Sequence, residues 1–291
     1  MADAALVETA PAKLNLDLLV TGRRADGYHE LDSLVVFAPI ADRLSFRPAS
    51  EFSLEVVGPF AGALGPSEDN LVMRAARALA LAADREVDVA IRLEKHLPVA
   101  AGIGGGSADA AATLRGLARS MALGWPADRL RELGLTLGAD VPVCLWGRPA
   151  RLRGIGERLD PVRGLPDLPL VLVNPGVGLG TAEVFRALDP DRKAIARSPF
   201  PPHPSLTRFA VWLLESRNEL EPAARRLAPV IDDVLERLRT EPDCLVARMS
   251  GSGATCFGLF TDAGKAASAA ASIARDHPRW WCRSAVAPGG P

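Results

Sequence analysis

The period of the hydrophobic pattern changes several times along the chain. Up to about residue 60, apolar and β-branched stretches such as LNLDLLV and DSLVVFA are interrupted by the turn-prone TGRRADG and by Pro48 and Pro59, which predicts strands. In NLVMRAARALALAA the apolar residues Leu71, Ala75, Leu79 and Ala82 recur at helical spacing, with Asn70 or Asp69 as the cap. VDVAIRLEKHLP returns to strand alternation. A glycine cluster at 102 to 106 follows, then helices from Ser107 to about Met121 and from Asp128 to Leu137.

The stretch from Arg148 to Pro169 is rich in Pro, Gly and Arg and carries no long helical pattern, which puts a domain boundary near residue 160. Beyond it the pattern predicts a strand in LPLVLVNPG, a short helix in TAEVFRAL, and helices near 205 to 216 and 223 to 240. LVARMSGSGATCFGLF reads as two strands around a Gly/Ser loop, followed by a helix at 263 to 275 and a final strand. Strands and helices mix without strict β-α-β alternation, so the expected class is α+β, in two domains at 1–160 and 161–291.

Composition narrows the possibilities. At 291 residues the chain can bury a core unaided, and its 34 basic against 35 acidic residues are not segregated. Neither nucleic acid nor a membrane surface is an expected partner. The amino terminus carries Asp3 and Glu8 instead of a basic stretch, and no apolar run approaches a membrane span, so a cytoplasmic location is expected. Cys144, Cys244, Cys256 and Cys282 lack the short spacing of a zinc site and read as free thiols. His96, His203 and His277 likewise lack ligand spacing and read as surface or core residues.

The strongest chemical signal is PVAAGIGGGSADAAATL, residues 98 to 114, where a strand runs into four glycines and then an alanine-rich helix. Glycines let backbone N–H groups approach an anion, and the helix start adds unpaired donors and partial positive charge. The loop is not the dinucleotide fingerprint: counting from Gly102, the third required glycine falls on Ser107, and counting from Gly104, on Asp109. Nor is it a Walker A loop, because the only Gly-Lys pair, Gly264-Lys265, is followed by Ala266. Lys13 stands in the otherwise small and apolar APAKLNLDL, where a cation needs a carboxylate, an anionic ligand or an outlet to water at the strand end. Asn15 shares its strand face. Local sequence reads MSGSGATCFG equally as a ligand-approaching turn or a plain hairpin.

Three segments, APAKLNLDL at 10 to 18, the loop at 98 to 108 and MSGSGATCFG at 249 to 258, together resemble the three motifs of the GHMP kinase superfamily of small-molecule kinases. Within it, ADGYHELDSL, the GGGS form of the loop and GADVPVCLWG at 138 to 147 are similar to the members that act on cytidine diphosphate-linked methylerythritol. The resemblance implies two domains with the active cleft between them, ATP and Mg²⁺ as cofactors, and that small molecule as acceptor. It implies a nucleotide-binding run of Pro98, Val99, Ala100, Ala101, Gly102, Ile103, Gly104, Gly105, Gly106, Ser107 and Ala108. Lys13 and Asp140 are then the catalytic pair, although Asp140 by itself reads also as a turn residue. Asn15, Tyr28, His29 and Phe185 become substrate-binding residues, with Tyr28, the only tyrosine, and Phe185 bracketing the cytosine and His29 on its polar edge. Ala108 departs from the pattern, at a place often held by a second serine, and the metal ligands stay unassigned. Homoserine- or mevalonate-type kinases and a catalytically silent sensor on the same fold are the alternatives.

Overall fold

The computed structural model describes residues 6–64, 70–189 and 197–290, so Asp69, the alternative cap, lies outside the described residues. In chain order the strands are β1 (Leu6–Asn15), β2 (Leu19–Arg23), β3 (His29–Pro48), β4 (Ser53–Val57), β5 (Val89–Glu94), β6 (Ala150–Gly154), β7 (Arg158–Pro161), β8 (Leu168–Asn174), β9 (Cys244–Met249), β10 (Cys256–Phe260) and β11 (Trp281–Ala287). The helices are α1 (Leu71–Ala83), α2 (Gly105–Ser120), α3 (Ala127–Leu137), α4 (Val141–Trp146), α5 (Thr181–Arg186), α6 (Leu206–Glu215), α7 (Glu221–Leu227), α8 (Val230–Arg239) and α9 (Ala263–Asp276).

The chain falls into two compact units interleaved in sequence. One comprises Met1–Ala12, Ala41–Val99 and Gly104–Gly147; the other comprises Lys13–Ile40, Ala100–Ile103 and Arg148–Pro291. The last crossing, at Arg148, precedes the residue 160 read from composition, and the early crossings have no compositional mark. They occur inside β1, β3 and the glycine loop.

In the first unit the end of β3 pairs antiparallel with β5, which pairs parallel with β4. Helix α1 starts where Asn70 Oδ1 accepts from the Val72 N–H at 2.9 Å, and it buries Val72, Ala75, Ala76 and Leu79 on one face. Helix α2 begins at Gly105, two residues before the expected Ser107, because Gly104 serves as its N-cap with φ of 64°. Gly116 lets α2 approach β3 closely: a Cβ there would lie 2.2 Å from Phe46 Cζ. Helix α4 was not expected; Pro142 in its first turn suits a helix start, and Asp140 is its N-cap residue.

In the second unit the early half of β3 pairs with β2 and with β6, and β6 pairs with β7. The β6–β7 pair fills the stretch read only as a boundary. A four-stranded antiparallel sheet follows in the order β11-β8-β10-β9. Every residue of β8 is buried, and Ile231, Val234 and Leu238 of α8 join Ala266, Ala269 and Ile273 of α9 in the same core. The single helix expected at 223 to 240 is two, α7 and α8, because Pro229 has no N–H to continue the ladder. The α+β expectation stands.

The described cysteines are all unbridged. Burial pushes the Cys244 and Cys282 thiols up to about 11 and Cys256 well above its ordinary value, so none of these three is a nucleophile at neutral pH. His96 and His203 are exposed and His277 stacks on Trp280 with centroids 3.7 Å apart.

Candidate active site

Three separated segments interlock in the second unit. The Lys13 N–H donates to Ile103 O at 2.9 Å, the Thr255 N–H to Ala101 O at 3.1 Å and the Leu179 N–H to Ala100 O at 3.1 Å. Ser250 Oγ donates to Gly102 O at 3.0 Å and accepts from the Asn15 N–H at 3.0 Å. The turn between β9 and β10 is thus no plain hairpin: it clasps the first half of the glycine loop and the end of β1. Gly102, at φ +73°, is required there, since a Cβ would lie 2.4 Å from Ser250 O and 2.6 Å from Gly253 N. Asn218 Nδ2 holds the same turn through Met249 O at 2.9 Å and Gly251 O at 2.8 Å.

Lys13 and Asn15 are both buried, and Lys13 Nζ donates to Asn15 Oδ1 at 2.9 Å. An ammonium in such a place keeps its charge only through built-in acceptors. Sequence reasoning found Lys13 and Asn15 but not their supports. Ser33 accepts from Asn15 Nδ2 at 2.7 Å, and Asp17 Oδ1 takes the Leu34 N–H at 2.7 Å and Arg197 at 2.8 Å. The carboxyl of Asp17 is raised from its ordinary value by burial, against the pull of Arg197. Asp32 binds both Arg151 and Arg197. The one signal for this network was the presence of Asp17 and Asp32 among apolar strand residues.

The second half of the loop belongs to the first unit. The N-cap of α2 offers no side-chain bond, and the helix's first residues Gly105 and Gly106 are half-buried and exposed. Beneath it Lys95 Nζ bridges Asp42 Oδ2 at 2.5 Å and Asp109 Oδ2 at 2.6 Å. Asp42 Oδ1 also receives the His96 and Leu97 N–H groups at 2.5 and 2.8 Å. The triad ties the end of β5 to the first turn of α2, the two ends of the loop. Burial, reinforced by Asp42, pushes Asp109 up to about 7 against the pull of Lys95. This triad too was missed; Lys95 and Asp109 were legible only as charges flanking the loop. Ala108 is buried whereas Ser107 is half-exposed, so a second hydroxyl at 108 would face the protein interior.

Asp140 caps α4 without a side-chain bond to that helix, and its carbonyl accepts from the Cys144 N–H at 3.2 Å. In the second unit His29 stacks on Phe185, centroids 5.0 Å apart and planes 19° from parallel, while Tyr28 is 62% exposed in the turn between β2 and β3. The ring packed on Phe185 is therefore His29, not Tyr28.

Residues 70–148 match a family model described as GHMP kinases N terminal domain, and residues 202–279 match GHMP kinases C terminal. A curated relative from Dinoroseobacter shibae is 52% identical over 277 residues, covering 95% of this chain and 93% of its own length. The chain belongs to the GHMP kinase family. That relative is named 4-diphosphocytidyl-2-C-methyl-D-erythritol kinase, as is one from Paramagnetospirillum magneticum that is 52% identical over 272 residues, covering 94% of this chain and 95% of the relative. A crystal structure of 4-(cytidine 5'-diphospho)-2C-methyl-D-erythritol kinase superposes with a TM-score of 0.78 at 38% identity, over 98% of this chain and 100% of its own. Homoserine kinase from Cytophaga hutchinsonii, at 18% identity and a TM-score of 0.71 over 99% of this chain and 97% of its own, shares the GHMP kinase fold alone.

Within this GHMP kinase the described residues contain no group of three or more His, Cys, Asp or Glu able to hold a metal, and no helix long and apolar enough to cross a membrane.

Proposed function

We propose that this chain transfers the γ-phosphoryl group of ATP to the 2-hydroxyl of 4-diphosphocytidyl-2-C-methyl-D-erythritol, giving the 2-phosphate and ADP, in the non-mevalonate route to isoprenoid precursors. The observation that carries the reading is the interlock of the Lys13–Asn15 strand end, the glycine loop and the Ser250 turn. Relatives that share half the sequence across almost its whole length, all named for this reaction, support the choice of acceptor.

Phosphoryl transfer asks a protein mainly for positioning and charge stabilisation. The run from Pro98 to Ala108 cradles the phosphates: the uncapped N–H groups of α2 and its helix dipole favour an anion, and Gly105 and Gly106 leave the backbone approachable. Asp140 orients and deprotonates the acceptor hydroxyl, and Lys13 stabilises the charge developing on the transferred oxygens. Asn15 fixes Lys13 and hydrogen-bonds substrate. The half-exposed Ser107 would be suited to supply one of the one or two protein oxygens that a Mg²⁺ bound with ATP needs, and the metal would supply neutralisation of phosphate charge. Tyr28 and Phe185 bracket the cytosine, and His29 leaves its stack on Phe185 to meet the polar edge of the base.

Incubating the protein with Mg-ATP and, separately, CDP-methylerythritol, mevalonate and homoserine while following ADP release tests this directly. Turnover is expected with the cytidylyl substrate; turnover only with another alcohol, or with none, overturns the proposal.

A further inference from the structure

The hydrogen bonds around Lys13 run in one direction, and that direction is set by a residue remote in sequence. An ammonium can only donate, so its partner on Asn15 must be the amide oxygen, as found at 2.9 Å. The two ends of an amide have nearly the same shape, and only neighbours decide which end points where. On the far side of Asn15, Nδ2 lies 2.7 Å from Ser33 Oγ. Ser33 has a single proton, and it goes to the backbone carbonyl of Asp17 at 2.5 Å, a group that can only accept. The hydroxyl therefore turns a lone pair toward Asn15 and accepts only a donor there. Ser33 selects the amide orientation in which oxygen faces the ammonium.

The far end of this relay is itself anchored. Asp17 is fully buried, its carboxylate held by the Leu34 N–H and by Arg197, and Arg197 is braced by Asp32. The near end is anchored through the Asn15 N–H on Ser250 Oγ. Lys13, Asn15 and Ser33 are all at most 3% exposed, so water does not compete for these bonds.

We infer that Ser33 is a positioning residue for phosphoryl transfer: it sets the Asn15 amide and, through it, aims the Lys13 ammonium. The inference rests on the proposed role of Lys13. Its structural part, however, is testable on the protein without substrate.

Ser33→Ala removes the acceptor for Asn15 Nδ2 and the donor for the Asp17 carbonyl, and frees the amide to turn its NH₂ toward the ammonium. In the ligand-free protein, the Asn15 side-chain NH₂ resonances, assigned by comparison with Asn15→Asp, should exchange slowly with solvent in wild type. In Ser33→Ala they should shift and exchange at least about tenfold faster. With ATP and the cytidylyl substrate, kcat should fall about 10- to 100-fold, the range that misplacement of a catalytic group produces, while KM for ATP changes less than about twofold. Unaltered Asn15 resonances in a folded Ser33→Ala protein overturn the relay whatever the enzyme acts on. Altered resonances with unchanged kcat overturn the catalytic role and leave the proposed reaction standing. Should Ser33→Ala not fold, Asn15→Asp takes its place: a carboxylate cannot donate to Ser33, so an unchanged kcat in that variant overturns the inference.

Discussion

Gly102→Ala isolates the contribution of a single close backbone contact to this site. Gly102 lies at φ +73°, where an alanine costs about 1 to 2 kcal/mol. Its Cβ would stand 2.4 Å from Ser250 O and 2.6 Å from Gly253 N, and because both are backbone atoms, neither can swing aside as a side chain would. Overpacking of this kind adds about 1 to 3 kcal/mol, giving a total of about 2 to 5 kcal/mol. For a chain of this length about 2 °C of melting temperature accompanies each kcal/mol, so a fall of about 4 to 10 °C is expected in a thermal melt. The displaced turn carries Ser250, which holds the Asn15 N–H, so kcat should fall as well. Gly62→Ala is the control: nothing lies within 4 Å of a Cβ there, and its melt should match wild type within about 1 °C. A Gly102→Ala protein that melts and turns over like that control would refute the clasp between loop and turn.

The other half of the loop should behave in the opposite way. Gly106→Ala meets only the tip of Leu71 at 3.2 Å, inside a helix that favours alanine, so stability should hold or rise by up to about 1 kcal/mol while KM for ATP increases, as melts and steady-state kinetics would report. Asp140→Asn should lower kcat on the order of 10²-fold or more with substrate KM largely kept; near-normal turnover removes Asp140 from the mechanism. Tyr28→Ala or Phe185→Ala should raise KM for the cytidylyl substrate about 5- to 150-fold, from about 1 to 3 kcal/mol of stacking, with KM for ATP unchanged; equal loss for both substrates would refute the cytosine sandwich. Asp109 is held up to about 7 in the folded chain, so the fold binds a proton there that the unfolded chain has already released above about pH 4. Its stabilising contribution therefore declines as pH rises through about 7, and the melting temperature of wild type relative to Asp109→Asn should drop between pH 5 and pH 8; a pH-independent difference contradicts the shift.

Much of this protein follows from local sequence. The helical spacing of Leu71, Ala75, Leu79 and Ala82 announced α1, although the buried face runs through Val72, Ala75, Ala76 and Leu79 and leaves Ala82 exposed, and Asn70 supplies the start of the helix by a bond two residues long. The four glycines running into an alanine-rich stretch specify a backbone open to anions before any partner is known, and Lys13 among small apolar residues announces an interior charge. Pro229 is the local signal for the break between α7 and α8, within the stretch that the apolar period alone reads as one helix. Tertiary structure decided what depends on groups far apart in sequence. Ser33 and Asn15 are 18 residues apart, Asp42 and Lys95 53, and Asn15 and Ser250 235. Local periodicity carries no information on such pairs, because a hydroxyl or carboxylate in a strand looks the same whether it meets water or a buried partner. The interleaving of the two units was hidden for the same reason: β1 and β3 keep an uninterrupted strand pattern while their two ends are buried by different parts of the chain. Burial, which turns a polar side chain from a solvated group into one that must find a partner, is a property of the assembled fold and not of the segment.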